Sequence, residues 1–297
     1  NQGTEPVRIG SHDGGLEALA ASSAGTFASA GTEGLVRLWD GKGAELAVGK
    51  GHSGPVYDVS FASSGKALAS AGDDGTVRIW SDNLTSSTIL RGHEGAVSAV
   101  AWSPDGTRLA SAGRDDFTLR IWDRRTGRST TLMTAPQAAY DVAFSPDGKR
   151  LVAALGDNTA RIITIADPAR AIRLSASSLQ GVQRARFDPT GSHVVTIGGD
   201  GQVLVWRVDG TLVSTLHGHH GRGTSAIFDR TGSRVISTGR DGSVRVWDWA
   251  SAQPTGEFVS PVDFPIEGGS ISAPDGASIL SAGLDASLRR WNPTNGR

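Results

Sequence analysis

One short segment recurs along this chain at a nearly constant interval. Thr76-Val-Arg-Ile-Trp80 reappears as Leu35-Val-Arg-Leu-Trp39, Thr118-Leu-Arg-Ile-Trp122, Ala160-Arg-Ile-Ile163, Gln202-Val-Leu-Val-Trp206, Ser243-Val-Arg-Val-Trp247 and Ser287-Leu-Arg-Arg-Trp291. The anchors lie 41, 42, 41, 43, 41 and 44 residues apart, with Ile163 in the fourth tryptophan position. A fixed period of this size marks stacked supersecondary units, none of which can bury its own core alone. Seven units fill the 297 residues, a length that exceeds the usual single core.

Within a unit the apolar residues alternate with period two over four to six positions, as in Val97-Ser-Ala-Val-Ala-Trp102, Arg108-Leu-Ala-Ser111 and Leu119-Arg-Ile-Trp122. That is the pattern of half-buried strands. Between them stand Ser103-Pro-Asp-Gly106, Ser145-Pro-Asp-Gly148, Asp188-Pro-Thr-Gly191 and Ala273-Pro-Asp-Gly276. Proline presets φ for a turn and glycine accepts the positive φ that closes a hairpin, so no helix runs through them. Each unit therefore supplies about four short antiparallel strands, and a closed ring buries both faces of every sheet.

The pairs Gly51-His52, Gly92-His93 and Gly218-His219, each followed about 29 residues later by Trp80, Trp122 and Trp247, resemble the WD-repeat family, as do the Trp-Asp pairs at 39–40, 122–123 and 247–248. The resemblance covers essentially all of residues 1–297. It implies an all-β fold, a single seven-bladed propeller of four-stranded antiparallel blades. Glu5-Pro-Val-Arg-Ile9 precedes His12 as Thr88-Ile-Leu-Arg91 precedes His93, and the chain stops six residues after Trp291. A strand at about residues 5–9 is thus expected to complete the last blade and seal the ring.

The family pattern also implies a hydrogen-bonded brace in each blade, running from a histidine before the first strand to a turn aspartate, a second-strand serine or threonine and the third-strand tryptophan. Carried over here, the complete sets are His52, Asp74, Ser70 and Trp80; His93, Asp116, Ser111 and Trp122; and His219, Asp241, Ser237 and Trp247. Asp115 is an alternative to Asp116. The first unit has His12, Ser29 and Trp39, but Glu33 for the aspartate. The fifth (Asp200, Thr196, Trp206) and seventh (Asp285, Ser281, Trp291) lack the histidine, and the fourth keeps only Asp157.

Several chemistries are excluded or disfavoured. With no cysteine there is no thiol nucleophile, disulfide or cysteine-based zinc site. Buried polar groups must be satisfied, which accounts for the His-Asp-Ser sets without a hydrolase triad. Asp73-Asp74 and Asp115-Asp116 are adjacent on a turn and point apart, unlike a glycosidase pair. His217-Gly-His219-His220 is metal-like in spacing, but His219 belongs to the brace and no carboxylate is near in sequence, so no metal or other cofactor is expected.

Twenty-nine basic and thirty acidic side chains give a net charge of -1, which argues against nucleic acid and anionic membrane as partners. No apolar run approaches the ~18 residues of a membrane-spanning helix. Arg124, Arg125 and Arg128 form the densest basic cluster, in a loop without interleaved aromatics, which reads as a solvated connection. Trp249, beyond Trp247, reads as cover for a blade edge. The first residue is Asn1, and the arginine-rich, lysine-poor composition suggests a bacterial-type gene. The expectation is a segment of a longer cytoplasmic protein with a signalling domain linked on its N-terminal side.

The positions that the repeat does not dictate are more informative. Four residues before the end of each first strand stand Glu17, Tyr57, Ser98, Tyr140, Gln183, Thr224 and Gly268, which in this architecture ring the mouth of the central channel. Thr32, Asp73, Asp115, Gly156, Gly199, Arg240 and Leu284 rise on the same face, and Arg222 joins Arg240. The rim is then acidic over the first three blades (Glu17, Glu33, Asp73, Asp115) and basic over the sixth. Tyrosine and arginine are the types enriched at binding hot spots. The expected function is a non-catalytic scaffold or sensor that binds a protein or peptide at this face, through Tyr57, Tyr140, Arg222, Arg240, Gln183, Glu17, Asp73 and Asp115. The alternative is a propeller enzyme, a metal-assisted hydrolase using the channel. It would need several inward carboxylates or histidines.

Overall fold

The computed structural model describes residues 7–175, 181–259, 266–272 and 278–291. Seven antiparallel sheets of four strands follow one another in a ring, and no helix lies among the described residues. Blade 2 is typical: Val56–Phe61 is innermost, followed outward by Leu68–Gly72, Val77–Trp80 and Ser87–Leu90. Blades 1 and 3–6 repeat the order in sequence. Blade 7 contains Ile266–Ser272, Ile279–Gly283 and Ser287–Trp291, and its fourth strand is Val7–Ser11. Val7 pairs with Arg290 and Ser11 with Ser287, so the N-terminal strand completes the last blade. Glu5 and Pro6 of the expected strand lie outside the described residues, as does the Ala273–Gly276 turn.

The second strand is the most buried in blades 1–5, and Phe27–Gly31, Leu68–Gly72 and Ile279–Gly283 are buried at every position. Small residues there let the neighbouring sheet approach. Among the described residues each of the seven blade boundaries holds one apolar cluster. One example joins Ala69, Ala71 and Val77 of blade 2 to Val100, Leu109 and Trp122 of blade 3. Blade 4 has Ile163 where the others have tryptophan, and it is fully buried against Leu151 and Ala153. Stability thus resides in nearest-neighbour contacts between blades.

The innermost strands are not regular. In blades 1–6 the register between first and second strand slips near its start, as between Val56 and Asp58, Ala139 and Asp141, and Val182 and Arg184. Such a bulge places two successive residues against one partner and re-aims their side chains. It bears directly on what fills the channel.

Candidate partner-binding face

The brace residues meet in three blades. His52 lies 2.9 Å from Asp74 through Nδ1 and 2.7 Å from Ser70 through Nε2, and Trp80 Nε1 donates to the same Ser70 Oγ at 2.8 Å. His93 makes the same contacts with Asp116 and Ser111, and Trp122 Nε1 donates to Ser111 at 2.7 Å. Asp116, not Asp115, therefore takes the brace position. His219 reaches Asp241 at 3.0 Å and Ser237 at 2.8 Å, with Trp247 donating to Ser237 at 2.8 Å. Burial holds His52 and His93 below the usual imidazole range, outweighing the carboxylate beside each. Burial alone would raise Asp74, but bonds from His52 and Thr76 hold its carboxyl below the usual range.

Incomplete sets adapt locally. In blade 1, His12 Nε2 meets Ser29 at 2.6 Å, while Nδ1 lies 2.7 Å from Glu33 Oε1 but outside hydrogen-bond alignment. Glu33 is drawn inward to His12 and to Arg37, 3.2 Å away, and does not face the mouth as an acidic rim residue. In blades 5 and 7, Trp206 donates to Thr196 at 2.9 Å and Trp291 to Ser281 at 2.8 Å. The missing histidine leaves Asp200 Oδ2 buried without a hydrogen-bond partner among the described residues, whereas Asp285 turns to Arg289 at 3.0 Å.

At the face carrying the Gly-His loops, Glu17, Tyr57, Ser98, Tyr140, Gln183 and Thr224 come together around one cavity of about 120 Å³. Gly268 lies on the innermost strand of blade 7. Tyr57 donates its hydroxyl to Asp73 Oδ1 at 2.9 Å. Burial first, and then this carboxylate, push its phenol up to about 12. Arg222 Nη2 donates to Gln183 Oε1. Arg240 is exposed beside them, its backbone N–H donating to the Arg222 carbonyl at 2.8 Å, but it does not line the cavity. Asp115 accepts the Ala96 N–H at 2.9 Å and braces its own loop.

Sequence reasoning missed Arg114 and a charged network below the mouth. Arg114 lines the cavity with its guanidinium 5.6 Å from the Tyr57 ring, so the third blade presents a cation as well as Asp115. Deeper, Arg184 of blade 5 reaches across to Asp58 of blade 2 at 3.6 Å and to Asp141 of blade 4 at 3.3 Å. Arg186 also donates to Asp141. The two carboxylates accept the Val100 and Ala185 N–H groups of the following blades, at 2.9 and 3.0 Å. Burial raises the Asp58 carboxyl despite both arginines. Arg184 is held above its usual range because Asp141 and Asp58 outweigh its own burial. A signal existed, since Tyr-Asp-Val occurs in both blades 2 and 4, but strict alternation turned its aspartate away from the channel.

Among the described residues no group of three or more histidine, aspartate or glutamate side chains could hold a metal ion. His217 and His220 are both exposed. Arg124, Arg125 and Arg128 are all exposed, but Arg124 also lays its guanidinium 5.2 Å from the Trp102 ring. Trp249 is half-buried between Phe228 and His193.

No curated protein matches the chain significantly. The family model described as WD domain, G-beta repeat matches residues 4–40, 43–81, 84–123, 128–164 and 210–248. The two long stretches it leaves contain the units of Trp206 and Trp291, both without the blade histidine. Seven four-stranded blades in a ring, histidine-to-tryptophan braces and five matched repeats lead to one conclusion: the chain belongs to the WD40 family of β-propeller repeat proteins.

Proposed function

We propose that this propeller is a non-catalytic interaction module that captures an acidic peptide segment of a protein partner at the channel mouth. Tyr57, Tyr140, Gln183 and Arg222 form the centre of the site, Arg114 contributes a second cation, and Glu17, Asp73, Asp115 and Arg240 form its margin. WD40 propellers generally serve as protein-interaction scaffolds. The observation that most supports this reading is the meeting of two phenol rings with two guanidinium groups in one concave site. Neither Arg114 nor Arg222 is ion-paired to a carboxylate among the described residues. Arg184, by contrast, already faces two aspartates.

Chemically, the rings supply rigid area at low entropic cost and the guanidinium forks suit a carboxylate. At ~30 Å³ per water, the cavity accepts one acidic side chain while the rest of the segment lies on the rim. The blade does not require an aromatic here, because the same repeat position carries Glu17, Ser98, Gln183 and Thr224 elsewhere. The test is titration of acidic, neutral and basic peptide arrays with the wild type and with the Tyr57→Ala, Tyr140→Ala double variant. Acidic sequences should bind preferentially, and the double variant should lose roughly 2 kcal/mol, about thirtyfold, with its melting temperature nearly unchanged. Equal binding by wild type and variant would place the site elsewhere.

A further inference from the structure

The face opposite the mouth carries the turns between first and second and between third and fourth strands. There a second regularity runs round the ring. Blades 3–6 each end their first strand in an aromatic residue, and each aromatic is accompanied by a flat N–H donor that also bonds the carbonyl of the following turn glycine. In blade 3, Arg124 lies 5.2 Å from the Trp102 ring and donates to Gly106 O at 3.4 Å. In blade 4, Arg108 lies 5.7 Å from Phe144 and donates to Gly148 O at 3.1 Å. In blade 5, Arg150 lies 5.6 Å from Phe187 and donates to Gly191 O at 2.8 Å. In blade 6 the donor is Trp249, 6.2 Å from Phe228 and 2.8 Å from Gly232 O.

Blade 2 has the aromatic, Phe61, and the turn glycine, Gly65, but no donor. The donor comes from one of two places: the start of the second strand in the preceding blade (Arg108, Arg150) or two residues past the third-strand tryptophan in the same blade (Arg124, Trp249). In blade 1 the first place is lost, because Thr26 runs directly into Phe27 where Thr107 is followed by Arg108 and then Leu109. In blade 2 the second place is Asp82. Among the described residues no cation or ring lies over Phe61, and a cavity of about 160 Å³ opens there between blades 1 and 2. Leu38, Leu68 and Leu84 wall it, and Asp82 stands at its edge, exposed and without an ion-pair partner among the described residues.

We propose that this slot receives an arginine side chain from a partner protein. Its guanidinium lies on Phe61, donates to Gly65 O and pairs with Asp82, while its methylene stem packs on the leucines. The neighbouring blades contain the bound arrangement in cis, with Arg108 and Arg150 in the role of the guest. Lys66 also lines the slot, but Lys149 occupies the same repeat position beside Arg108 and Phe144, so a lysine there is compatible with a guanidinium. Leu84 has φ 57° at a turn position that other blades fill with Gly43, Gly127, Gly210 and Ala252, and its buried side chain forms part of the wall.

This inference does not depend on the mouth site, since the two lie on opposite faces. The probe is Nα-acetylarginine methylamide, followed through the leucine methyl resonances by nuclear magnetic resonance, with the lysine, citrulline and leucine analogues as controls. The arginine analogue should give saturable shifts at Leu38, Leu68 and Leu84, with an affinity at least about threefold above each control. Asp82→Asn should weaken it by a similar factor. Asp82→Arg, which restores the donor of blades 3 and 6 in cis, should abolish the shifts with no loss of melting temperature. Equal response to all four analogues, shifts confined to the mouth residues, or undiminished binding by Asp82→Arg would each overturn the proposal.

Discussion

Arg184→Met tests whether the channel is held by its buried charges. The substitution keeps most of the side-chain volume but removes the cation nearest to Asp58, 3.6 Å away, and one of two facing Asp141. Asp141 retains Arg186 and the Ala185 N–H, whereas Asp58 keeps the Val100 N–H at 2.9 Å and, for a cation, just the more distant charge of Arg186. Breaking a buried pair by removing one partner costs about 3–5 kcal/mol. Here the arginine side chain is 16% exposed and lines the open mouth, so solvent screening discounts that range to about 2–3 kcal/mol. At roughly 2 °C per kcal/mol for a chain of this size, the melting temperature should fall by about 4–6 °C at pH 7.

Two further arms identify the cause. Adding Asp58→Asn to Arg184→Met should recover most of the loss, because the amide oxygen still accepts from Val100 and no charge is stranded. The deficit should also shrink as the pH falls. Burial already raises the Asp58 carboxyl, and losing Arg184 raises it further. The folded state then binds a proton more readily than the unfolded one, so stability is regained as pH drops through the folded pKa. Scanning calorimetry across pH and genotype measures all three. A melting temperature within 1 °C of wild type, or a pH-independent deficit with no rescue by Asp58→Asn, would refute the reasoning.

Ser111→Ala removes the hydroxyl that accepts from Trp122 Nε1 and meets His93 Nε2 in a fully buried site, and should cost about 1–3 kcal/mol in chemical denaturation; a loss under 0.5 kcal/mol would show that the brace is dispensable. His12, His52 and His93 are held below their usual pKa of 6.5, so the unfolded chain takes up their protons first and stability should decline as pH falls below about 6.5. His93→Asn should flatten that slope in melting experiments between pH 7 and 5. In a Tyr140→Phe background the phenol of Tyr57 should titrate near 12 by ultraviolet absorbance, and Asp73→Asn should bring it down toward, but not to, 10, since burial contributes more than the carboxylate. Deleting residues 1–11 should expose the edge of Ser287–Trp291, lower the melting temperature by several degrees and promote association; an unchanged, monomeric protein would contradict the pairing of Val7 with Arg290.

The ring was legible because its determinants are periodic. The tryptophan series set seven units, and Ile163 could be placed in it by spacing although it has none of the brace chemistry. The mouth residues followed from position alone, since each lies at one repeat offset from the end of an innermost strand. What escaped was local backbone irregularity. A residue pattern of period two cannot show that the strand slips at Asp58, Asp141 and Arg184, so the charges filling the channel were invisible while the tyrosines beside them were found. Arg114 precedes a recognised pair of aspartates but packs on a ring from the same blade's neighbour, a contact without local signature. The empty slot over Phe61 could be recognised only after four filled ones had been seen.

The fourth strand of blade 7 has a kinetic meaning. The other ladders join strands that are consecutive in the chain, whereas Val7 finds Arg290. The entropy of bringing chain ends together grows as about (3/2)RT ln n, and non-local pairings form slowly. Blades 1–6 can therefore condense from local hairpins in any order, but the seam at blade 7 waits for nearly the whole polypeptide to be in place. The same seam is where the ring should first part under force or heat, and amide exchange along Ser287–Trp291 should reveal it as the fastest-opening interior strand.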